Sequence, residues 1–111
     1  MATITPTETN NGYLGKTVTW LTWTDADTCT GTRGVSYNRC FAQFYGTFGG
    51  GTVVLQGSFD GTEWETIKDE GGNAISATAD ASFTFTAAQP FIRPSGSGGT
   101  AESYDVALSL F

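Results

Sequence analysis

Residues 51–69, GTVVLQGSFDGTEWETIKD, decide the fold class. Two runs of strand-type residues flank Asp60-Gly61, a dipeptide that readily takes the positive φ angles of a tight turn. On the first limb Val53, Leu55, Gly57 and Phe59 share a face. On the second, Trp64 and Thr66 lie opposite Glu63, Glu65 and Ile67. Strict alternation on both sides of such a turn predicts a β-hairpin, and a hairpin makes the surrounding sheet antiparallel.

Working outward, the same period recurs. Lys16–Thr24, KTVTWLTWT, predicts a strand with Val18 and Trp20 on one face and Leu21 and Trp23 on the other. Arg39–Phe48 alternates Cys40, Ala42, Phe44, Gly46 and Phe48 with Phe41, Gln43, Tyr45 and Thr47. Both segments are expected to carry apolar groups on two faces, and so to be covered on the outside as well as on the core side. Gly49-Gly50-Gly51 breaks the second. Asp69–Asn73 is a turn, Ala74–Ala79 a short weak strand, and Ser82–Thr86 a strand with Phe83 and Phe85 on one face. Pro90 and Pro94 bracket FIR, which should end quickly or lie at an edge because proline lacks a ladder N–H. Ser95–Thr100 is expected as a flexible tip. Glu102–Phe111 is the cleanest one-sided strand, with Tyr104, Val106, Leu108 and Leu110 inward. A single helical turn at Ala87-Ala88-Gln89 is compatible with the sequence; no longer helical period appears. We expect an all-β protein: an antiparallel β-sandwich, favoured over a closed β-barrel, of seven or eight short strands spanning residues 16–111, preceded by an extended N-terminal arm, residues 1–15, whose end Tyr13 and Leu14 could anchor.

The chain has 111 residues, enough for one core. Net charge is −6, and Lys16, Arg33, Arg39, Lys68 and Arg93 are scattered rather than clustered. Phosphate recognition relies on clustered cations, so neither nucleic acid nor an anionic membrane is an expected partner. The first residues show neither the basic nor the apolar region of a secretory leader, and no run approaches membrane-spanning length; synthesis in the cytoplasm is expected. Cys29 and Cys40 are expected as free thiols, with a disulfide the other possibility. Cys40 reads as a small core residue. Cys29, in the polar stretch Asp25–Asn38, reads as the more reactive of the two.

No pattern announces a chemistry. The chain has no histidine, which removes His-based catalytic triads and the commonest metal ligand. GTFGGGT has no phosphate-loop spacing and no following helix, and reads as a bulged turn. Glu63 and Glu65 sit about 7 Å apart on one strand face. Such a pair suggests glycoside hydrolysis, but without an evident cleft it reads as a solvated face. Asp25 and Asp27, or Asp69 and Glu70, could hold a loose surface cation, although neither pair has calcium-loop spacing. Trp20, Trp23 and Trp64 could form a sugar platform if exposed, or core if not. No catalytic, cofactor-binding or metal-binding residue is assigned, no cofactor is expected, and an enzyme is the least favoured class. The polar arm and the long loop Asp25–Asn38 are the segments expected to make contacts, since loops of that length in compact domains often do.

The hairpin with its continuation, GTVVLQGSFDGTEWETIKDEGGNAI, and the later stretch FIRPSGSGGTAESYDVALSLF resemble small structural proteins of tailed bacteriophages. The shared pattern is a strand, GS-x-DG-x-x-W, a turn of the GNAI type, an IRP segment, a glycine-rich tip and a last alternating strand. It covers roughly residues 50–111, and is especially similar to capsid cement (decoration) proteins of short-tailed cyanophages. The resemblance implies a non-enzymatic virion protein on the outer capsid surface. It would bind the major capsid protein, stabilise contacts between its subunits and form a homo-oligomer, a trimer being expected. A tail or fibre accessory and a carbohydrate-binding module are the alternatives.

Overall fold

A computed structural model of the chain describes residues 2–10, 15–34, 38–86 and 89–111. All regular structure in them is β: β1 (Thr3–Ile4), β2 (Thr7–Asn10), β3 (Lys16–Trp23), β4 (Thr28–Cys29), β5 (Thr32–Arg33), β6 (Arg39–Thr47), β7 (Thr52–Ser58), β8 (Glu65–Thr66), β9 (Ser76–Ala77), β10 (Ala81–Thr86), β11 (Phe91–Ser97) and β12 (Ser103–Leu110). Five of these twelve are two residues long, which leaves seven longer strands. They form a sandwich. One sheet runs β10-β6-β12-β3-β2, the other β5-β11-β7-β8 with β9 also on β7. Within both sheets every pairing is antiparallel, while β1 and β4 make a separate parallel pair.

Alternation places the core. β12 is central, between β6 and β3, and buries Tyr104, Val106, Leu108 and Leu110 as its pattern predicts. They meet Cys40, Ala42 and Phe44 of β6, Val53 and Leu55 of β7, and Ile92 of β11. Trp23 and Phe48 both pack on the Tyr104 ring, at centroid distances of 4.9 and 5.5 Å. Burying each large apolar side chain is worth about 1.5–3 kcal/mol, so this layer dominates stability.

β3 departs from its expected alternation. Val18, Trp20 and Trp23 are all buried in the same core, and Leu21 is 51% exposed. The reason is a β-bulge: partner register shifts between Tyr104↔Trp23 and Val106↔Trp20, and Thr22 adopts φ 58°. One extra residue re-phases the strand, so an odd spacing of three still puts both tryptophans inside. The freed amide of Thr22 donates to Asp105 Oδ1 at 2.8 Å. On β6 the second face is likewise open, with Phe41 39% exposed and Tyr45 half-buried. The covered outer faces expected for these two strands are not present in the single chain.

Two further expectations change. FIR does not end at Pro94: β11 continues to Ser97, pairing with β7 throughout. β5 pairs only with Phe91 and Ile92, so Pro94 stands where, among the described residues, the other edge of β11 has no strand partner, which is where proline is tolerated. Nor is Ser95–Thr100 a free tip. Ser95–Ser97 are in β11, and Gly96 lies so close to Tyr104 that a Cβ there would come within 2.6 Å of its ring. The Asp69–Asn73 turn forms as expected, with Asp69 Oδ1 accepting from the amides of Gly71 (2.9 Å) and Asn73 (3.0 Å). The weak strand in 74–79 shrinks to β9. Tyr13, Leu14, Ala87 and Ala88 lie outside the described residues.

Candidate contact surfaces

The two segments expected to make contacts are zipped to each other and to the sandwich. β1 runs parallel to β4, pairing Thr3 with Thr28 and Ile4 with Cys29. Thr28 N donates to Ala2 O at 2.9 Å and Thr30 N to Ile4 O at 2.9 Å. β2 then joins β3 as an edge strand, from Thr7↔Thr19 to Asn10↔Lys16. A side-chain knot ties this edge to the opposite sheet. Lys16 Nζ donates to Glu8 Oε1 and to Thr32 Oγ1, both at 3.0 Å, and Thr32 Oγ1 donates to Glu8 Oε2 at 3.0 Å. The described part of the arm is therefore extended, but its pairing is within its own chain. The loop is largely fold: β4 holds the arm and β5 holds β11. Outward, the arm presents the exposed strand β2, and the loop presents Ala26, Thr28 and Arg33. Residues 35–37 lie outside the described residues.

Asp25 and Asp27 shape the start of that loop. Asp25 Oδ1 accepts from the Tyr104 hydroxyl at 2.7 Å, and Oδ2 from Gly99 N at 2.6 Å. Its own amide donates to Glu102 Oε2 at 2.9 Å. Burial, then the bond to Asp25, pushes the Tyr104 hydroxyl well above the ordinary tyrosine range. Asp27 Oδ2 accepts from Thr24 N at 2.9 Å, and Oδ1 from Ala2 N at 3.1 Å. The Thr24 amide is the main cause holding its carboxyl below the usual value. All four oxygens are committed to the chain itself, so this pair is a structural clamp. Among the described residues no group of three or more His, Cys, Asp or Glu is placed to hold a metal.

Cys29 corrects the sequence expectation. It is a free thiol like Cys40, and both are buried. Loss of solvation is the main cause raising each thiol to about 12, with Asp27 adding to the effect at Cys29. Thiolates are the reactive form, so neither position is a reactive cysteine. Polar neighbours in sequence misled here, because pairing of β4 with the arm turns Cys29 inward.

The hairpin forms with Gln56↔Thr66 and Gly57↔Glu65 as partners, but its connection is longer than a tight turn. Gly61 takes φ 80°, and Asp60 Oδ1 accepts from Thr62 N (2.9 Å), Glu63 N (3.1 Å) and Ser58 Oγ (3.1 Å). The Thr62 and Glu63 amides hold the Asp60 carboxyl below its ordinary value. An open groove of about 550 Å³ lies at this tip, lined by Phe59, Asp60, Glu63, Trp64 and Glu65. The two glutamates are exposed as expected, yet they line a cleft that no sequence motif announces. The tryptophans divide: Trp20 and Trp23 are core, whereas Trp64 is half-buried with Arg93 stacked 4.2 Å over its ring. Phe59, expected to face inward with Val53 and Leu55, is 86% exposed because the chain has already left the strand.

No family model and no curated protein sequence matches this chain. Among solved structures, the SPBc2 prophage-derived protein YomS matches with a TM-score of 0.62 at 8% identity, over 96% of this chain and 95% of that one. At that identity the likeness concerns the fold alone.

Proposed function

We propose that this is a non-enzymatic phage virion protein, a cement protein that binds the outer surface of an icosahedral capsid and reinforces contacts between major capsid protein subunits. The observation that carries this reading is the order of sequence pieces in residues 50–111, from the GSFDGTEW hairpin through FIRP to the last strand. A fold shared end to end with a prophage-derived protein supports it. The charge of −6 suits an outer surface better than a DNA-facing wall. Trimers at three-fold positions are the proposed assembly, since symmetric shells offer such sites. Binding to the folded shell stabilises it by mass action, and many copies act together. The test is to add the purified protein to capsids that lack it and follow shell melting. A rise in melting temperature with saturable binding is expected; saturable binding with an unchanged melting temperature refutes the stabilising role, and no binding refutes the capsid site.

One observation favours a second reading. The groove beside exposed Phe59 and half-buried Trp64, flanked by carboxylates, has the make-up of a weak sugar site. With Trp20 and Trp23 in the core, that reading rests on the hairpin tip alone. A glycan array on the wild type and on Phe59→Ala tests it, and absence of binding removes it. A tail or fibre accessory is separated from a cement protein by copy number per particle.

A further inference from the structure

Free sheet edges invite pairing with other chains, and proteins blunt them with short strands, charges or proline. Among the described residues most edges carry such a device. β5, β8 and β9 are two residues each. β2 follows Pro6 and carries Glu8, tied to Lys16 and Thr32. β11 has Pro94 where its β5 partner has run out. β10 has none of these devices. Ala81–Thr86, ASFTFT, is six residues long, uncharged and free of proline, and among the described residues it pairs only with β6.

The order of residues on β10 identifies what would pair with it. Ser82-Phe83-Thr84-Phe85-Thr86 reads the same by residue class in both directions about Thr84. An antiparallel partner strand of the same sequence, centred on Thr84, sets hydroxyl against hydroxyl along the exposed face. Ser82 would face Thr86 of the partner subunit and Thr84 would meet Thr84 of the partner subunit, while Phe85 is fully buried in its own core and offers the partner no ring. Cross-strand pairs of this kind stabilise antiparallel sheets. Phe83 is left half-buried at this edge, packed on Phe44 at 5.6 Å between ring centroids. The strand also brings no like charge to the contact, which a chain of net charge −6 needs in order to meet itself.

We propose that β10 is a self-pairing edge: two copies join by antiparallel β10–β10 pairing about a two-fold axis at Thr84, fusing two five-stranded sheets into one continuous sheet. The contact stands on the sheet alone and holds whether or not the protein coats capsids. On a shell it would link neighbouring trimers, since a two-fold contact is additional to a three-fold one. One strand pair is a small interface, so the dimer forms reversibly and with concentration.

Sedimentation velocity across a concentration series tests it, with Thr84→Lys and Thr84→Glu as variants. Thr84 is exposed, so neither charge is buried in the single chain. The wild type is expected to dimerise, each variant alone to stay monomeric because like charges face each other on the axis, and an equimolar mixture of the two to recover a heterodimer. A wild type that stays monomeric overturns the proposal, as do variants that dimerise like the wild type or a mixture that stays monomeric. Hydrogen exchange on the wild type decides without any variant: amides of residues 82–86 gain protection as concentration rises if the edge pairs, and do not if it does not.

Discussion

Asp25 shows how one exposed-looking carboxylate can hold a fold together. Its two oxygens receive the hydroxyl of the buried Tyr104 and the amide of Gly99, joining the start of the Asp25–Asn38 loop to the β11–β12 connection. Asp25→Ala leaves that hydroxyl without its acceptor inside the core. Such a loss costs about 1–3 kcal/mol, read as a lowered denaturation midpoint with an unchanged denaturant slope. An unchanged midpoint would mean that water replaces Asp25 freely. The thiols give a second residue-scale expectation. With Cys29 and Cys40 raised to about 12, a thiol reagent at mildly alkaline pH should modify neither in the native protein and both after unfolding. Fast native modification of one thiol would place that cysteine outside the core.

At the scale of elements, β3 turns on its bulge. Leu21 and Thr22 together stand opposite one residue of β12, and that one added residue lets Trp20 and Trp23 enter the same core, while Asp105 accepts from the amide the bulge releases. Deleting Thr22 brings the two tryptophans to a spacing of two, and plain alternation then keeps both on the core face. The loss expected is that of the Thr22–Asp105 hydrogen bond, about 1 kcal/mol, with the tryptophan emission unshifted. A red-shifted emission with a loss of about 3–5 kcal/mol would show instead that one tryptophan has left the core and that the bulge does not set the phase. Sequence alone predicted this strand and its ends but not its phase. A spacing of three between tryptophans is equally readable as two buried faces or one bulged face. The choice depends on whether β12 supplies an acceptor at Asp105, 83 residues beyond Thr22 in the chain.

For the whole molecule, the arm and the loop belong to the sandwich. β1 and β2 add to β4 and β3, and the Glu8–Lys16–Thr32 knot crosses from one sheet to the other. Removing residues 1–10 should therefore weaken the body rather than trim a passive tail. At this size each kcal/mol lost lowers the melting temperature by about 4–8 °C, and a clear fall is expected. If residues 11–111 melt like the full chain, the arm is only appended. The same pairing bears on function. A capsid contact made here would use the outward side of β2 and its neighbours, a surface already in place before binding.

The alternation of β7 and β12, the Asp60-Gly61 break and the glycine and proline punctuation determined by themselves that the chain is all-β and antiparallel, with a sandwich favoured over a closed barrel. They do so because a period of two is a local property of the pleated backbone. The inward set of β12 and the Asp69–Asn73 turn come from the same local rules. Only the tertiary structure decided the phase of β3, the extension of β11 through Pro94, the inward turn of Cys29 and the pairing of the arm with the loop. Each depends on which distant strand lies alongside, and neither a residue's type nor its neighbours in sequence carry that information. The bare edge of β10 belongs to both levels: its uncharged, palindromic pattern is written in the sequence, and only the sheet order shows that none of the described strands lies beside it there.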